Sequence, residues 1–433
     1  MQLKGSPGTG LSGATLGFFV GFAAVALFGP TAETFQQVMH LTGGEVGFLV
    51  AIPSLSGSLL RIPFGAWVDA NGGRKPFLVL LGLGWLGMVG LSLMVYFLYP
   101  DGMTAALYPL LLILGFLVGC AIATFSVGIG QVSYWFPQSK QGTALAMYGG
   151  LGNLAPGIFS LLLPIALSYW GLAASYLTWL LFLTIGILLY WLLGTNAYYF
   201  QLTKLGLARE QAVGKAREMG QEIFPRGLSG VEGLLQAVKI GRTWVLVAAY
   251  FITFGGFIAM TAWLPTYWYS YIGVSTVSAG VLTALYSITA SLVRVWGGSL
   301  ADRIGGARTG MLAGIIMLIG AIIMFSSSSY FTSVMGEMLM AAGMGTGNAA
   351  VFKIVPQAVP EAVGGASGLV GGLGAFGGFI IPPLLGFIVD LQGVQGYASG
   401  FVIYVILAGA SILLMYSLSR ATTDKTENPA SHT

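Results

Sequence analysis

Twelve long apolar runs constrain this chain more than any other feature. They cover residues 16–38, 45–68, 76–98, 104–127, 142–168, 172–194, 243–270, 277–300, 309–328, 330–351, 364–389 and 397–418. A helix needs roughly 20 residues to cross the hydrocarbon core of a bilayer. Backbone polar groups must be satisfied within such a segment, so the runs read as helices. Only 7% of the 433 residues are charged, against about 25% in a soluble domain. Such a chain cannot clothe itself for water. The expected class is an all-α membrane protein with twelve transmembrane helices. The AVA at 24–26 resembles a signal-peptide cleavage site, but apolar residues continue past it, and the first run is read as a retained helix.

Charge placement orients the spans. Apart from Arg61 and Arg294, every lysine and arginine falls outside the runs: Lys4; Arg74 and Lys75; Lys140; the group from Lys204 to Arg242; Arg303 and Arg308; Lys353; Arg420 and Lys425. With twelve spans these positions share one side with both termini, which the positive-inside rule makes cytoplasmic. A multi-pass protein of the cytoplasmic membrane is expected. The net charge of +4 then reflects topology and gives no reason to expect a nucleic-acid partner.

The raw material for enzymatic chemistry is thin. Cys120 is the single cysteine, which excludes an internal disulfide or a cysteine metal cluster, and His40 and His432 are the only histidines. Neither a cofactor nor a metal is expected, and the composition argues against an enzyme.

The chain repeats itself. Arg61-x3-Gly65-x3-Asp69-x2-Gly72-Gly73 returns as Arg294-x3-Gly298-x3-Asp302-x2-Gly305-Gly306, and GGLGNLAPG (149–157) is echoed by GGLGAFGGF (371–379). Both echoes fall in the second and fifth helix of each half. Parallel six-helix repeats are a transporter architecture that places its substrate near the midplane at the repeat interface. The expected organisation is a six-helix bundle at 1–194, a cytoplasmic linker at 195–241 and a second six-helix bundle with a short tail at 242–433. Within the linker, AREQAVGKAREMGQEIF reads as an amphipathic helix or as a flexible connector; a regulatory or partner-binding loop is the alternative.

The arginines carry the functional argument. Eight helical residues separate each from the aspartate at the cytoplasmic end of its helix, about 12 Å at 1.5 Å per residue. That brings both close to the midplane, where a charge costs about 2.5–3.5 kcal/mol on insertion scales. One reading pairs each with an acid, for which Glu33 and Glu337 are the in-span candidates. The other has both arginines face a central water-accessible cavity and meet an anionic substrate. A guanidinium is always charged and presents a planar fork suited to flat oxyanions. Counting along the helices brings Phe125, Asn153, Tyr250 and Phe254 to similar depth, with Tyr250 and Phe254 on one face. A small planar anion fits this group better than a sugar or a peptide. Taken alone, the aromatics read equally as packing residues and Asn153 as an interhelical hydrogen bonder.

Inside the membrane, the glycine runs let helix backbones approach closely. Gly149, Gly152, Gly372 and Gly374, with the loop carboxylates Asp69 and Asp302, are the expected conformational-switch positions. Pro156, Pro382 and Pro383 add breaks that can bend these helices. Gly372-x-Gly374-x-x-Gly377 spells a dinucleotide fingerprint but lacks the surrounding βαβ unit.

At these motifs the chain resembles a known family. The two Gly-x3-Asp-x2-Gly turns are similar to the signature loops of the major facilitator superfamily, although Ala70 stands at the common basic position and Gly73 precedes Arg74. Both glycine runs, together with TFSVGIGQVSYWFP (124–137), YFITFGGF (250–257) and GTGNAAVFKIVP (345–356), resemble segments of the nitrate/nitrite porter family across both halves. The resemblance implies a major facilitator fold and an anion bound by Arg61 and Arg294. It further implies Phe125 and Phe254 as a sandwich around the anion, and contacts from Asn153 and Tyr250. Ala375 stands where the first glycine run has Asn153, so the amide contact comes from one half only. Rocker-switch alternating access of nitrate and nitrite by a monomer in the bilayer is the implied function.

Coupling stays open at this level. Nitrate/nitrite exchange needs no proton, whereas proton-linked uptake needs a titrating group. Glu33, Glu337 and His40 are the candidates, each also readable as structural or interfacial. WLPTYW (263–268) resembles the proton-linked branch of the family. The alternatives are a porter for another small anion, such as a monocarboxylate, and an anion sensor that moves nothing.

Overall fold

A computed structural model describes residues 3–225, 230–359 and 362–427. Arg226 and the tail beyond residue 427 lie outside the described residues. Helices account for nearly all of the described chain, with no strand among those residues.

Eleven helical stretches are long and apolar enough to cross a membrane. The longest, Thr143–Leu193, has 51 residues, or about 76 Å of helix where about 30 Å suffices. It breaks at Gly171, whose φ of 72° and ψ of 178° are not helical. A side chain is excluded from that backbone region in practice, so glycine is the residue that permits the break. The stretch therefore supplies two spans, and the twelve expected from the sequence are all present.

The chain divides into two compact units. The first comprises Met1–Leu41 and Ile52–Gly233, and the second comprises Thr42–Ala51 and Leu234–Thr433. Residues 42–51 join the second unit through the opening turn of α3 (Gly43–Leu59). The orphan N–H groups of Gly43 and Gly44 donate to Oδ1 and Oδ2 of Asp390 at 2.5 and 2.6 Å, an N-terminal cap supplied by a residue distant in sequence.

In the first unit α1 (Pro7–Phe22) opens with Ser6 as N-cap, a capping box to Thr9 and proline in its first turn. The second span is broken: α3 ends at Leu59 and α4 (Arg61–Asn71) begins after Leu60. Pro63 explains this, because it offers no N–H to the Leu59 carbonyl. The fourth span is also broken, with a 3₁₀ turn at Cys120–Ala123 between α6 (Tyr108–Gly119) and α7 (Thr124–Trp135). No proline lies there. Instead the Ser56 hydroxyl donates to the Phe116 carbonyl at 2.6 Å, and a Cβ at Gly119 would stand 2.1 Å from the Pro53 carbonyl.

The segment after the sixth span is folded. Tyr198–Lys204 and Arg209–Glu218 form short helices that share a small core of Leu202, Ala212 and Ala216, flanked by Leu3, Tyr198, Tyr199, Leu207 and Phe224. Gln201 ties it to the chain start, accepting from Lys4 N at 2.9 Å and donating to Lys4 O at 2.7 Å. Of the two expectations for AREQAVGKAREMGQEIF, the helix is what the structure shows.

In the second unit the equivalent spans run unbroken. Thr276–Ile304 and Tyr330–Ala358 are single helices of 29 residues each, hereafter the Arg294 helix and the Glu337 helix. Ser275 and Ser329 cap them, accepting from Ser278 N and Thr332 N at 3.2 and 3.3 Å. The two helices cross closely: a Cβ at Gly345 would lie 2.3 Å from the Ala290 carbonyl. The seventh span widens into π-helical turns at Phe251–Gly255 and Tyr267–Ile272.

Candidate functional site

Within its spans, each unit carries an arginine from the repeated motif over an aromatic ring. In the first unit Arg61 is 1% exposed and follows the Leu60 break directly. Its guanidinium carbon lies 4.8 Å from the centroid of the buried Phe125 ring, within cation–π range. The arginine's backbone is held as well, since its carbonyl accepts from Ser126 Oγ at 3.0 Å. Phe125 in turn sits beside Phe18 at 5.2 Å and Tyr148 at 6.3 Å between centroids. The Tyr148 hydroxyl donates to the carbonyls of Thr124 and Phe125, both at 3.0 Å, which pins the turn that carries Phe125.

The first glycine run reaches this cluster through Phe18. A Cβ at Gly152 would stand 1.9 Å from that ring, so only glycine fits the approach. Asn153 follows, buried, at the end of Gln138–Asn153, where the helix is interrupted at Leu154 ahead of Pro156. Gly149 has open space where its side chain would be.

In the second unit Arg294 is partly exposed in mid-helix, with its guanidinium carbon 5.8 Å from the Phe254 centroid. Its Nη1 atom is buried and has no hydrogen-bond partner among the described residues. Phe254 stacks on Tyr250, with centroids 4.8 Å apart and planes 11° apart, and both residues are fully buried. The shared face expected from their spacing is present, although the backbone between them is a π turn that the spacing does not reveal. Phe352 meets Tyr250 edge-on at 4.9 Å. Gly374 plays the part that Gly152 plays in the first unit: its Cβ would lie 2.7 Å from Tyr250. Gly372 is buried on the preceding turn, and Ala375 sits in a 3₁₀ turn at Gly374–Phe376.

The acids weighed as partners for the arginines are engaged elsewhere in part. Glu337 accepts from Trp268 Nε1 at 2.8 Å and forms no ion pair with Arg294. Glu33 accepts from Gln37 Nε2 at 2.8 Å.

The loop carboxylates differ between the repeats. Asp69 accepts from the Tyr134 hydroxyl at 2.6 Å, whereas Asp302 forms an ion pair with Lys353. The glycines that follow them behave alike. Gly72 has φ 76° and ψ 166° and Gly305 has φ 89° and ψ 147°, a region that residues with a Cβ avoid.

Sequence reasoning passed over Asn348. It is buried in the Glu337 helix, and its Oδ1 has no hydrogen-bond partner among the described residues. Its signal lay in GTGNAAVFKIVP, where it is the one side-chain amide.

Two six-span repeats, each with a buried or half-buried cation on an aromatic ring, define a membrane porter. The model of the Major Facilitator Superfamily matches residues 14–330 and 268–432. Solved structures agree on the fold: the xylose transporter XylE from E. coli, in a partially occluded inward-open conformation, superposes with a TM-score of 0.72 at 15% identity, covering 95% of this chain and 99% of its own. Sequence relatives are more specific. A probable nitrate/nitrite antiporter, NarK1, from Thermus thermophilus is 31% identical, covering 93% of this chain and 89% of the relative. The nitrite extrusion protein of Bacillus subtilis (strain 168) is 28% identical, covering 97% and 98%. The chain thus belongs to the nitrate/nitrite porter family of the major facilitator superfamily, and is a transporter, not an enzyme.

Proposed function

We propose that this protein carries nitrate and/or nitrite across the cytoplasmic membrane by rocker-switch alternating access, with both termini in the cytoplasm and a monomer as the working unit. The anion is bound by Arg61 and Arg294, flanked by Phe125 and Phe254, with Asn153 and Tyr250 as further contacts. Coupling is by nitrate/nitrite exchange or by proton-linked uptake.

The observation that carries the reading is the repeated guanidinium over a ring, at 4.8 Å in one unit and 5.8 Å in the other, in a chain whose relatives are named for nitrate and nitrite. A ring face does not neutralise a guanidinium, and the planar fork of a guanidinium suits a flat oxyanion. The unpartnered Nη1 of Arg294 supplies a donor of the required kind. Binding the anion offsets the repulsion between two like charges, so the bundles can close around it. That is a shift of population driven by differential affinity.

The test is nitrate flux in proteoliposomes. Arg61→Lys and Arg294→Lys each remove most of the flux, because a point charge lacks the bidentate fork. Near-normal flux in either variant counts against the site. Competition by nitrite, formate and chlorate identifies the anion: uptake inhibited by formate alone would point to a monocarboxylate porter.

A further inference from the structure

Glu337 is the most deeply buried carboxyl among the described residues of the second unit, with 0% of the residue exposed. Trp268 Nε1 donates to its Oε2, while Oε1 is buried and has no hydrogen-bond partner among the described residues. A carboxyl with one donor and no cation is stable in an apolar pocket as a neutral acid, and becomes tolerable as an anion only when water or a counter-charge reaches it. An ionisable residue kept at such a place within a span marks a proton or ion pathway more often than a packing role.

A second, independent feature ends close to it, at the residue before its tryptophan donor. A chain of hydroxyls runs inward from the turn before the Glu337 helix. The exposed Ser329 Oγ meets Thr332 Oγ1 at 2.8 Å, Thr332 Oγ1 meets Ser327 Oγ, and Ser327 Oγ meets Ser333 Oγ at 3.0 Å. Ser333 Oγ then meets the Tyr267 hydroxyl at 2.7 Å. In each link either oxygen can donate, so the direction of the chain can reverse. Ser333 lies one turn before Glu337 on the same helix face, and Tyr267 precedes the tryptophan that holds the carboxyl. Tyr267 and Trp268, the first two residues of the π turn at Tyr267–Ile272, both bond to that helix.

Among the described residues, the other groups around Glu337 are neutral. From the seventh span come Tyr267, Trp268 and, further out, Tyr271; from the Arg294 helix comes Tyr286, whose hydroxyl donates to Met344 Sδ; Tyr404 stands behind Tyr286. The facing helix Gly306–Ser326 carries no titratable side chain between Thr309 and Ser326. Arg294 lies two turns beyond Tyr286, about 12 Å along its helix, and Lys353 is at the far end of the Glu337 helix.

We propose that Glu337 is the proton-binding site of this porter, loaded through the Ser329–Thr332–Ser327–Ser333–Tyr267 chain, so that transport is linked to a proton gradient. The proposal rests on the anion-transport reading above and chooses between its two modes of coupling. By charge placement the 327–332 turn lies on the side opposite the termini. A proton enters there, each hydroxyl accepts one proton and passes on another, and a water bridges the last step: the Tyr267 O–H breaks as the water takes its proton, and the water gives a proton to Glu337, where an O–H bond forms. The same bond breaks to release the proton when the site opens to the cytoplasm, and nothing is oxidised or reduced.

The test uses the full chain in proteoliposomes with two readouts. The first is nitrate accumulation into vesicles empty of nitrite under an inward proton gradient, with internal pH followed by a trapped dye. The second is downhill nitrate exchange at equal pH. The wild-type protein is expected to do both, with acidification of the lumen during accumulation. Glu337→Gln keeps the shape and the Trp268 bond; it should lower accumulation at least tenfold and abolish acidification while exchange continues, which also shows that the variant is folded. Tyr267→Phe should slow accumulation by a smaller factor and spare exchange. Gradient-driven accumulation at the wild-type rate in Glu337→Gln overturns the proposal, as does a wild-type protein that exchanges nitrate but ignores the gradient. Failure of the wild type in both assays removes the anion reading itself and this proposal with it.

Discussion

The two repeats solve one problem with different backbones. In the first, the arginine starts a helix just after a proline-induced break and is sealed over Phe125; in the second, it lies in the middle of an unbroken 29-residue helix and stays partly exposed over Phe254. The loops differ likewise. Tyr134 donates to Asp69 in a half-buried contact, while Lys353 pairs with Asp302 in water, where their side chains are 41% and 63% exposed. Sequence symmetry preserved the residues that bear charge and the glycines that turn the chain. It did not preserve how rigidly each is held. The first repeat is the clamped one, since Asn196 accepts from Arg74 N at 2.8 Å and donates to Asn71 O at 3.1 Å, with no counterpart interaction among the described residues of the second loop.

The arginine pair offers the sharpest break of this comparison. A hydrogen bond to a charged group contributes about 1.5–3 kcal/mol, so each lysine replacement should cost roughly 10–100-fold in nitrate flux. Arg61→Lys should be the worse of the two, because its pocket is the more closed; equal losses in initial rate would show that burial does not matter.

Next come the glycines that admit a ring. Gly152→Ala places a Cβ 1.9 Å from Phe18, and Gly374→Ala places one 2.7 Å from Tyr250. Overpacking of this kind costs about 1–3 kcal/mol, and Gly152→Ala should lower the melting temperature in detergent more than Gly374→Ala. Gly149→Ala, which meets nothing, should melt as wild type does.

Gly72→Ala and Gly305→Ala probe the turns. Both backbones lie in a region costing about 1–3 kcal/mol for a residue with a Cβ. Only at Gly72 would the new methyl also strike a side chain, Asn196 at 2.5 Å. Thermal melts should therefore rank Gly72→Ala below Gly305→Ala.

The smallest effects belong to the loop carboxylates. Lys353→Met removes an exposed ion pair of about 0–1 kcal/mol, and salt should erase what difference there is. Tyr134→Phe leaves Asp69 without its donor in a half-buried place and should cost more, at any salt concentration. A salt-sensitive Tyr134→Phe defect would mean that the first loop is as open as the second.

Much of this was legible beforehand. Periodic apolar runs gave the spans, and a repeated Arg–Gly–Asp–Gly spacing gave the halves. Phe125 and Phe254 lie under the arginines whose depth they were counted to match. What escaped was conformation without a local cause. The 3₁₀ turn at Cys120–Ala123 has no proline of its own; a serine on another helix takes the Phe116 carbonyl. The hydroxyl chain toward Tyr267 was equally hidden, because serines at 327, 329 and 333 read as a polar turn until a tyrosine 66 residues away joins them.

The amino-acid sequence by itself determined that this chain spans the membrane twelve times, repeats after six spans and carries one arginine within a span of each repeat. Those follow from the cost of exposing backbone and charge to lipid, which each segment meets on its own. Tertiary structure alone decided that the fourth span unwinds at Cys120–Ala123, which ring lies under which guanidinium and where Glu337 finds its single donor. Each of those depends on groups far apart in the chain coming within 3 to 6 Å, and no local pattern of residues encodes that.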